Sequence, residues 1–138
     1  MGPYPRTLTA NELSPALVSL VRDLATRMLG GTAPAHAVLR AQLDAAKIAF
    51  VELTGVGLFA HFEHPPLTQR IVPARVIGGE VPLEVYGLDA GAGSLIAVSN
   101  GLLDFVEIYT FGNDAWPDNP EVLSFGEPTR LPLPASAT

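Results

Sequence analysis

The residues with chemistry to offer sit among aromatic and apolar neighbours. In D-F-V-E-I-Y-T-F-G-N-D-A-W-P, residues 104–117, strand alternation puts Phe105, Glu107, Tyr109 and Phe111 on one face. A carboxylate in such a row is an acid, a base or a ligand-binding group if a pocket encloses it. On an open or hydrogen-bonded face it needs no chemistry at all. Glu52 and Glu84 also lie inside apolar strands. If the three carboxylates were adjacent on one face they would repel, and at least one pKa would rise. An antiparallel sheet with one wet face accommodates all three without that demand. Trp116-Pro117 follows closely. A tryptophan there caps the core or, exposed beside Tyr109 and Phe111, centres an interface.

Other constellations are thinner. H-F-E-H (61–64) contains His61, Glu63 and His64, three residue types that bind metals. On a strand His61 and His64 point to opposite sides, so an ordinary strand end is the reading. The two histidines stand as metal candidates only if the Pro65-Pro66 bend brings His64 round. No metal and no cofactor is expected. G-V-G-L-F-A (55–60) matches a Gly-x-Gly-x-x-Ala dinucleotide fingerprint, but that motif must open a helix, and here a strand follows. It reads as a hairpin turn. G-L-D-A-G-A-G-S (87–94) lacks the Gly-Lys-Ser/Thr of a phosphate-binding loop and reads as a connector. There is no thiol and no Gly-x-Ser-x-Gly elbow; His36 lies near the start of a helix, and Ser94 and Ser99 read as hydrogen-bonded strand residues. No catalytic residue is assigned.

The elements that would position these groups follow from periodicity. Residues 1–8 read as an extended lead-in. Thr9-Ala-Asn-Glu12 has capping-box spacing, with Pro15 near the first turn. Leu13, Leu17, Leu20, Val21, Leu24 and Met28 form one helical stripe ended by Gly30-Gly31. A second helix follows Pro34, with Val38, Leu39, Leu43 and Ala46 on one face and Arg40, Gln42 and Asp44 pointing elsewhere. Near residues 45–47 the period changes to two, and strands are predicted over 48–53, 58–63, 70–77, 81–88, 94–99 and 102–111. Thr54-Gly55-Val56-Gly57 supplies one hairpin turn and Asn100-Gly101 another. Two helices followed by antiparallel strands is an α+β pattern. The prediction is two N-terminal helices packed on an antiparallel sheet of five or six strands, a single domain over 1–125, and a Pro-rich disordered tail over 126–138.

Composition limits the function classes. Residues 70–138 hold three basic groups against nine acidic, so the whole net charge of −6 lies there. Such a surface repels phosphate backbones, and nucleic acid is not an expected partner. No apolar run reaches a membrane span, and no signal peptide or lipid anchor is read at the N-terminus. The chain has no cysteine, which suits the cytoplasm. Only 16% of residues are charged and 48% are hydrophobic, which predicts that a partner covers some apolar surface. A symmetric homodimer is the expected cover, with another protein as the further choice.

Two segments also resemble a known group. A-Q-L-D-A-A-K-I-A-F-V-E-L-T-G-V-G-L-F-A-H-F and N-G-L-L-D-F-V-E-I-Y-T-F-G-N-D-A-W-P look like small uncharacterised bacterial proteins sharing a Thr-Gly-Val-Gly-aromatic turn and a Gly-x-Leu-x-x-Leu-Glu-x-Tyr-Thr-Tyr-Gly-x-x-x-Trp-Pro segment. Glu107, Tyr109, Gly112 and Trp116-Pro117 fall in place; Val106 and Phe111 depart from it, the latter losing a hydroxyl. The resemblance covers residues 40–117 and implies one bacterial domain. It carries no activity with it.

The functional expectation is therefore a non-enzymatic cytoplasmic protein acting through protein–protein, including self, association. The alternative is a small-molecule-binding protein or enzyme with a pocket around Glu107, Tyr109 and Trp116, with Glu52 and Glu84 nearby. A deep pocket holding these groups favours the second, and a flat apolar face the first.

Overall fold

In the computed structural model, which describes residues 4–133, two helices lie on one face of a single eight-stranded antiparallel sheet. The strands are β1 (Arg6–Thr9), β2 (Lys47–Leu53), β3 (Gly57–Glu63), β4 (Arg75–Gly78), β5 (Leu83–Val85), β6 (Ala92–Ser99), β7 (Leu102–Thr110) and β8 (Val122–Phe125). The helices are α1 (Pro15–Met28) and α2 (Pro34–Ala45). Across the sheet the order is β1-β2-β3-β7-β6-β5-β8, and β4 shares with β5 the second edge of β6. The class is α+β, as predicted. Among the described residues no helix is long and apolar enough to cross a membrane.

The sheet has more strands than the five or six expected, and one of them precedes the helices. β1 and β8 are four-residue strands at the two ends of the sheet order. So short a segment carries no alternation to read; pairing with β2 and β5 makes each a strand. Two predicted strands shrink for a related reason. Only Arg75–Gly78 of 70–77 pairs with β6, because Pro73 cannot donate to a ladder, and Ile71 turns into the core instead. Of 81–88 only Leu83–Val85 remains strand. The two hairpins form where the glycines place them. Asn100 and Gly101 both have positive φ, as a two-residue primed turn requires, and the Thr54 N–H bonds the Gly57 carbonyl across the other turn.

The capping box at Thr9–Glu12 is present, but it closes a single 3-10 turn. The long helix starts afresh at Pro15, where Ser14 Oγ accepts the Leu17 N–H at 3.1 Å. Leu20, Val21, Leu24, Ala25 and Met28 then form the buried stripe. In α2, Leu39 and Leu43 are buried as expected, and Ala46 just beyond its end. Gln42 is not on the polar side: it is 2% exposed. Its amide donates to the Gln69 and Gly101 carbonyls and accepts the Leu103 N–H, so α2 is tied to the turn between β6 and β7. Two arginines satisfy carbonyls that helix ends leave open. Arg22 donates to Leu43 and Ala46 at the end of α2, and Arg40 to Leu29 and Gly31 after α1.

The tail expected from Gly126 onward is packed over 126–133. Leu131 is 1% exposed, its N–H bonds the Met28 carbonyl, and its carbonyl accepts from His36 Nε2 at 2.7 Å. Thr129 bridges Glu80. Pro-rich composition counted against this segment, but one leucine and four backbone bonds are enough to hold it. The rest of that expected tail, 134–138, lies outside the described residues.

Candidate functional site: the open face of the sheet

Strand alternation divides the sheet into two faces. Val51, Leu58, Ala60, Ile96, Val106 and Ile108 point to the helices and are at most 1% exposed. Their neighbours point the other way, and among the described residues no helix lies over them. The register arranges this second face in rows. One row runs Glu52, Phe59, Glu107, Leu95 across β2, β3, β7 and β6. The next runs Phe50, His61, Phe105, Ala97, Ile77 and reaches β4. A third places Tyr109 between Gly57 and Gly93. The Tyr109 ring lies over Gly93, where a Cβ would come within 2.7 Å of it.

The aromatic rings form two clusters on this face, Phe50, Phe59, His61 and Phe105 in one and Tyr109 and Phe111 in the other. Phe50 stacks on His61 at 4.4 Å, Phe105 meets Phe59 edge-on at 5.3 Å, and Phe111 meets Tyr109 edge-on at 5.7 Å. Such pairs add about 0.5–1.5 kcal/mol each beyond their buried area. Phe50, Ile77 and Phe111 remain exposed. Phe105, Glu107 and Tyr109 share a face as the sequence predicts, and Phe111 extends it past the strand end.

Polar groups are threaded through this surface. His61 Nε2 donates to Glu52 Oε1 at 2.6 Å, while its Nδ1 lies 4.0 Å from Asp104 Oδ1. Ser99 Oγ donates to the other Asp104 oxygen at 2.9 Å. The order matters for chemistry. A serine activated for attack must face the imidazole, and here it faces a carboxylate instead. His64 turns away from His61 and donates through Nε2 to the Leu103 carbonyl. Among the described residues no three histidine or acidic side chains converge on a metal position. The two rings are held by different partners, His61 by Glu52 and His64 by the Leu103 carbonyl.

Glu107 sits between Phe59 and Leu95, and no donor among the described residues reaches its carboxylate. Partial burial pushes its pKa up. The Tyr109 hydroxyl is also raised, first by desolvation and then by the Glu80 and Glu107 charges. Glu52 shares the face but lies two strands away, about 10 Å by strand spacing, with Phe59 between. The two carboxylates do not share a proton, and the rise at Glu107 comes from desolvation. A raised folded-state pKa means that stability from this group is complete below the unfolded carboxylate value and falls as pH rises through the folded one. We therefore expect Glu107→Gln to lie within about 0.5 kcal/mol of wild type at pH 7, or above it. Any gain should disappear at about pH 3, below the unfolded carboxylate value, where both states are protonated. Urea denaturation at the two pH values reads both numbers. A loss of about 2 kcal/mol or more at pH 7 would show a buried, paired carboxylate instead.

The remaining candidates lie elsewhere. Glu84 is exposed on β5 opposite Ser124, away from the row that holds Glu52 and Glu107. Trp116 is 7% exposed and belongs to the core on the helix side, its N–H bonding the Gly55 carbonyl. Glu107, Tyr109 and Trp116 thus do not line one pocket. The reason is the sharp chain reversal after Thr110, whose hydroxyl bonds the Asp114 carbonyl at 2.7 Å and sends the tryptophan under the Gly55 turn. The His61–Glu52 pair was not singled out from sequence, although its signal was present. A turn at Thr54–Gly57 sets Glu52 opposite Phe59 and leaves His61 diagonal to Glu52 on the same face.

No protein-family model matches this chain, and no curated protein or solved structure matches it.

Proposed function

We propose that this chain is a non-enzymatic binding protein that works through the open face of its sheet, and that its first partner is a second copy of itself. The observation that carries the reading is the face shared by Phe50, Phe59, Phe105 and Tyr109, over which no helix lies among the described residues. Two such faces stack about 10 Å apart, with side chains interdigitating, as in a sheet sandwich. A two-fold axis makes the patch its own complement. The low charge and apolar excess of the chain support a covered surface. The His61–Glu52 pair is partly exposed on that face, which suits orientation of a partner better than enclosure of a substrate. The absence of cysteine supports a cytoplasmic setting for the same proposal.

The test is light scattering of wild type and Phe59→Lys at micromolar concentration. A lysine between Glu52 and Glu107 is compatible with the folded sheet, because it meets two carboxylates. It would place a charge at the centre of the stacked face. Wild type is expected at twice the 14.5 kDa chain mass, and the variant at the single-chain mass with unchanged far-ultraviolet circular dichroism. A monomeric wild type, or a variant that still dimerises, removes the proposal.

A further inference from the structure

On the helix side of the sheet, remote from the open face, lies a cavity of about 560 Å³. It is bounded by the first half of α1, by β1, by the Gly55 turn and by the segment from Trp116 to Asn119. That volume falls within the range of sites for small organic molecules. It exists because α1 packs on β6 and β7. Toward β1 and β2, helix and sheet part, and Leu17 is left only partly buried. Leu17, Leu20, Leu53, Leu58 and Trp116 line the common space.

The polar part of the wall has a sign. Glu12, Asp23 and Asp118 line it, against the single guanidinium of Arg6. One Glu12 oxygen accepts the Thr9 N–H and hydroxyl, both at 3.0 Å, and one Asp23 oxygen accepts from Arg27 at 3.1 Å. Each carboxylate keeps a second oxygen. The bonds from Thr9, and behind them the Arg6 charge, hold the Glu12 carboxyl below its ordinary value, so it is ionised at neutral pH.

We propose that this cavity binds a small amphiphilic cation. Its apolar or aromatic body rests on the leucines and the Trp116 ring, and its amine or quaternary ammonium group is turned to the Glu12–Asp23 side. An indole face attracts such a group as well as the carboxylates do. An anion with the same apolar body meets three carboxylates against the Arg6 guanidinium and the Arg27 group already paired with Asp23, and is disfavoured, so the charge decides specificity while the apolar wall supplies affinity. The site does not involve the open face and stands or falls independently of the association proposed above.

Trp116 is the only tryptophan in the chain, so its emission reports on the cavity directly. The probes are decyltrimethylammonium and decyl sulfate, matched in chain length and kept below their micelle concentrations. The cation is expected to shift Trp116 emission saturably and raise Tm, and the sulfate to bind at least about tenfold more weakly. Ala16→Phe, at an exposed position on the cavity mouth, should abolish the response without touching the core. Asp23→Asn should weaken the cation about tenfold and leave the sulfate unchanged or tighter. The proposal is overturned if neither probe saturates, if the sulfate binds as tightly as the cation, or if Ala16→Phe binds like wild type.

Discussion

Gln42→Leu should cost the protein about 1–3 kcal/mol in urea denaturation, although the new side chain is apolar, similar in size and buried. The wild-type amide makes three bonds: to the Gln69 and Gly101 carbonyls and from the Leu103 N–H. Leucine gains a little transfer energy but leaves the Leu103 N–H without that partner, while the Gly101 carbonyl keeps the Ile71 N–H. Leu103 is buried, so water does not replace the lost acceptor. An orphaned donor of this kind costs about 1–3 kcal/mol. Gln42→Glu separates shape from charge. It keeps the acceptor for Leu103 and sets a carboxylate oxygen against a carbonyl, so it should be at least as damaging at pH 7 and recover as the pH falls. A Gln42→Leu variant as stable as wild type would mean that the amide's bonds to the turn between β6 and β7 contribute nothing.

Gly57→Ala is expected to be the other severe change, at about 3 kcal/mol or more, read as a fall in Tm. The usual reason for a turn glycine does not apply, because Gly57 is not among the residues with positive φ. The reason is room. A Cβ there would overlap the Ile108 carbonyl oxygen, with the carbonyl carbon and the Tyr109 Cα each only 2.9 Å away. All three are backbone atoms, so no rotamer change relieves the clash, and β3 would have to move off β7. Gly30→Ala is the control. There the nearest atom to the new Cβ is 3.7 Å away, and stability should change by no more than about 0.5 kcal/mol.

These two residues also show where sequence reading reaches and where it stops. Thr54–Gly57 and Asn100–Gly101 announce hairpins because turn chemistry is local, and both hairpins are there. The α1 stripe is legible for the same reason. Sequence alone sets Gln42 off the apolar face of α2, with Arg40 and Asp44. What buries it is the β6–β7 turn, which arrives from sixty residues further along the chain. β1 and β8 were missed because four residues carry no period. At the open face, the membership of Phe105, Glu107 and Tyr109 was legible from alternation alone. That Glu52 and Glu107 flank Phe59, and that Trp116 leaves this company for the helix side, depends on which strands are neighbours. Strand order is a property of the whole chain, and no window of sequence contains it.

The pairing of β3 with β7 has a further consequence, for the order in which the chain assembles. The hairpins β2–β3 and β6–β7 each close over a short turn, so their ladders form after little loss of chain freedom. The ladder between them joins Gly57–His61 to Phe105–Tyr109. It must enclose everything from β4 to β6 before it gains a single bond. The sheet is thus two fast units meeting at one slow seam. Gly57 sits at the tip of that seam, where the lack of a side chain lets the second unit close against the first.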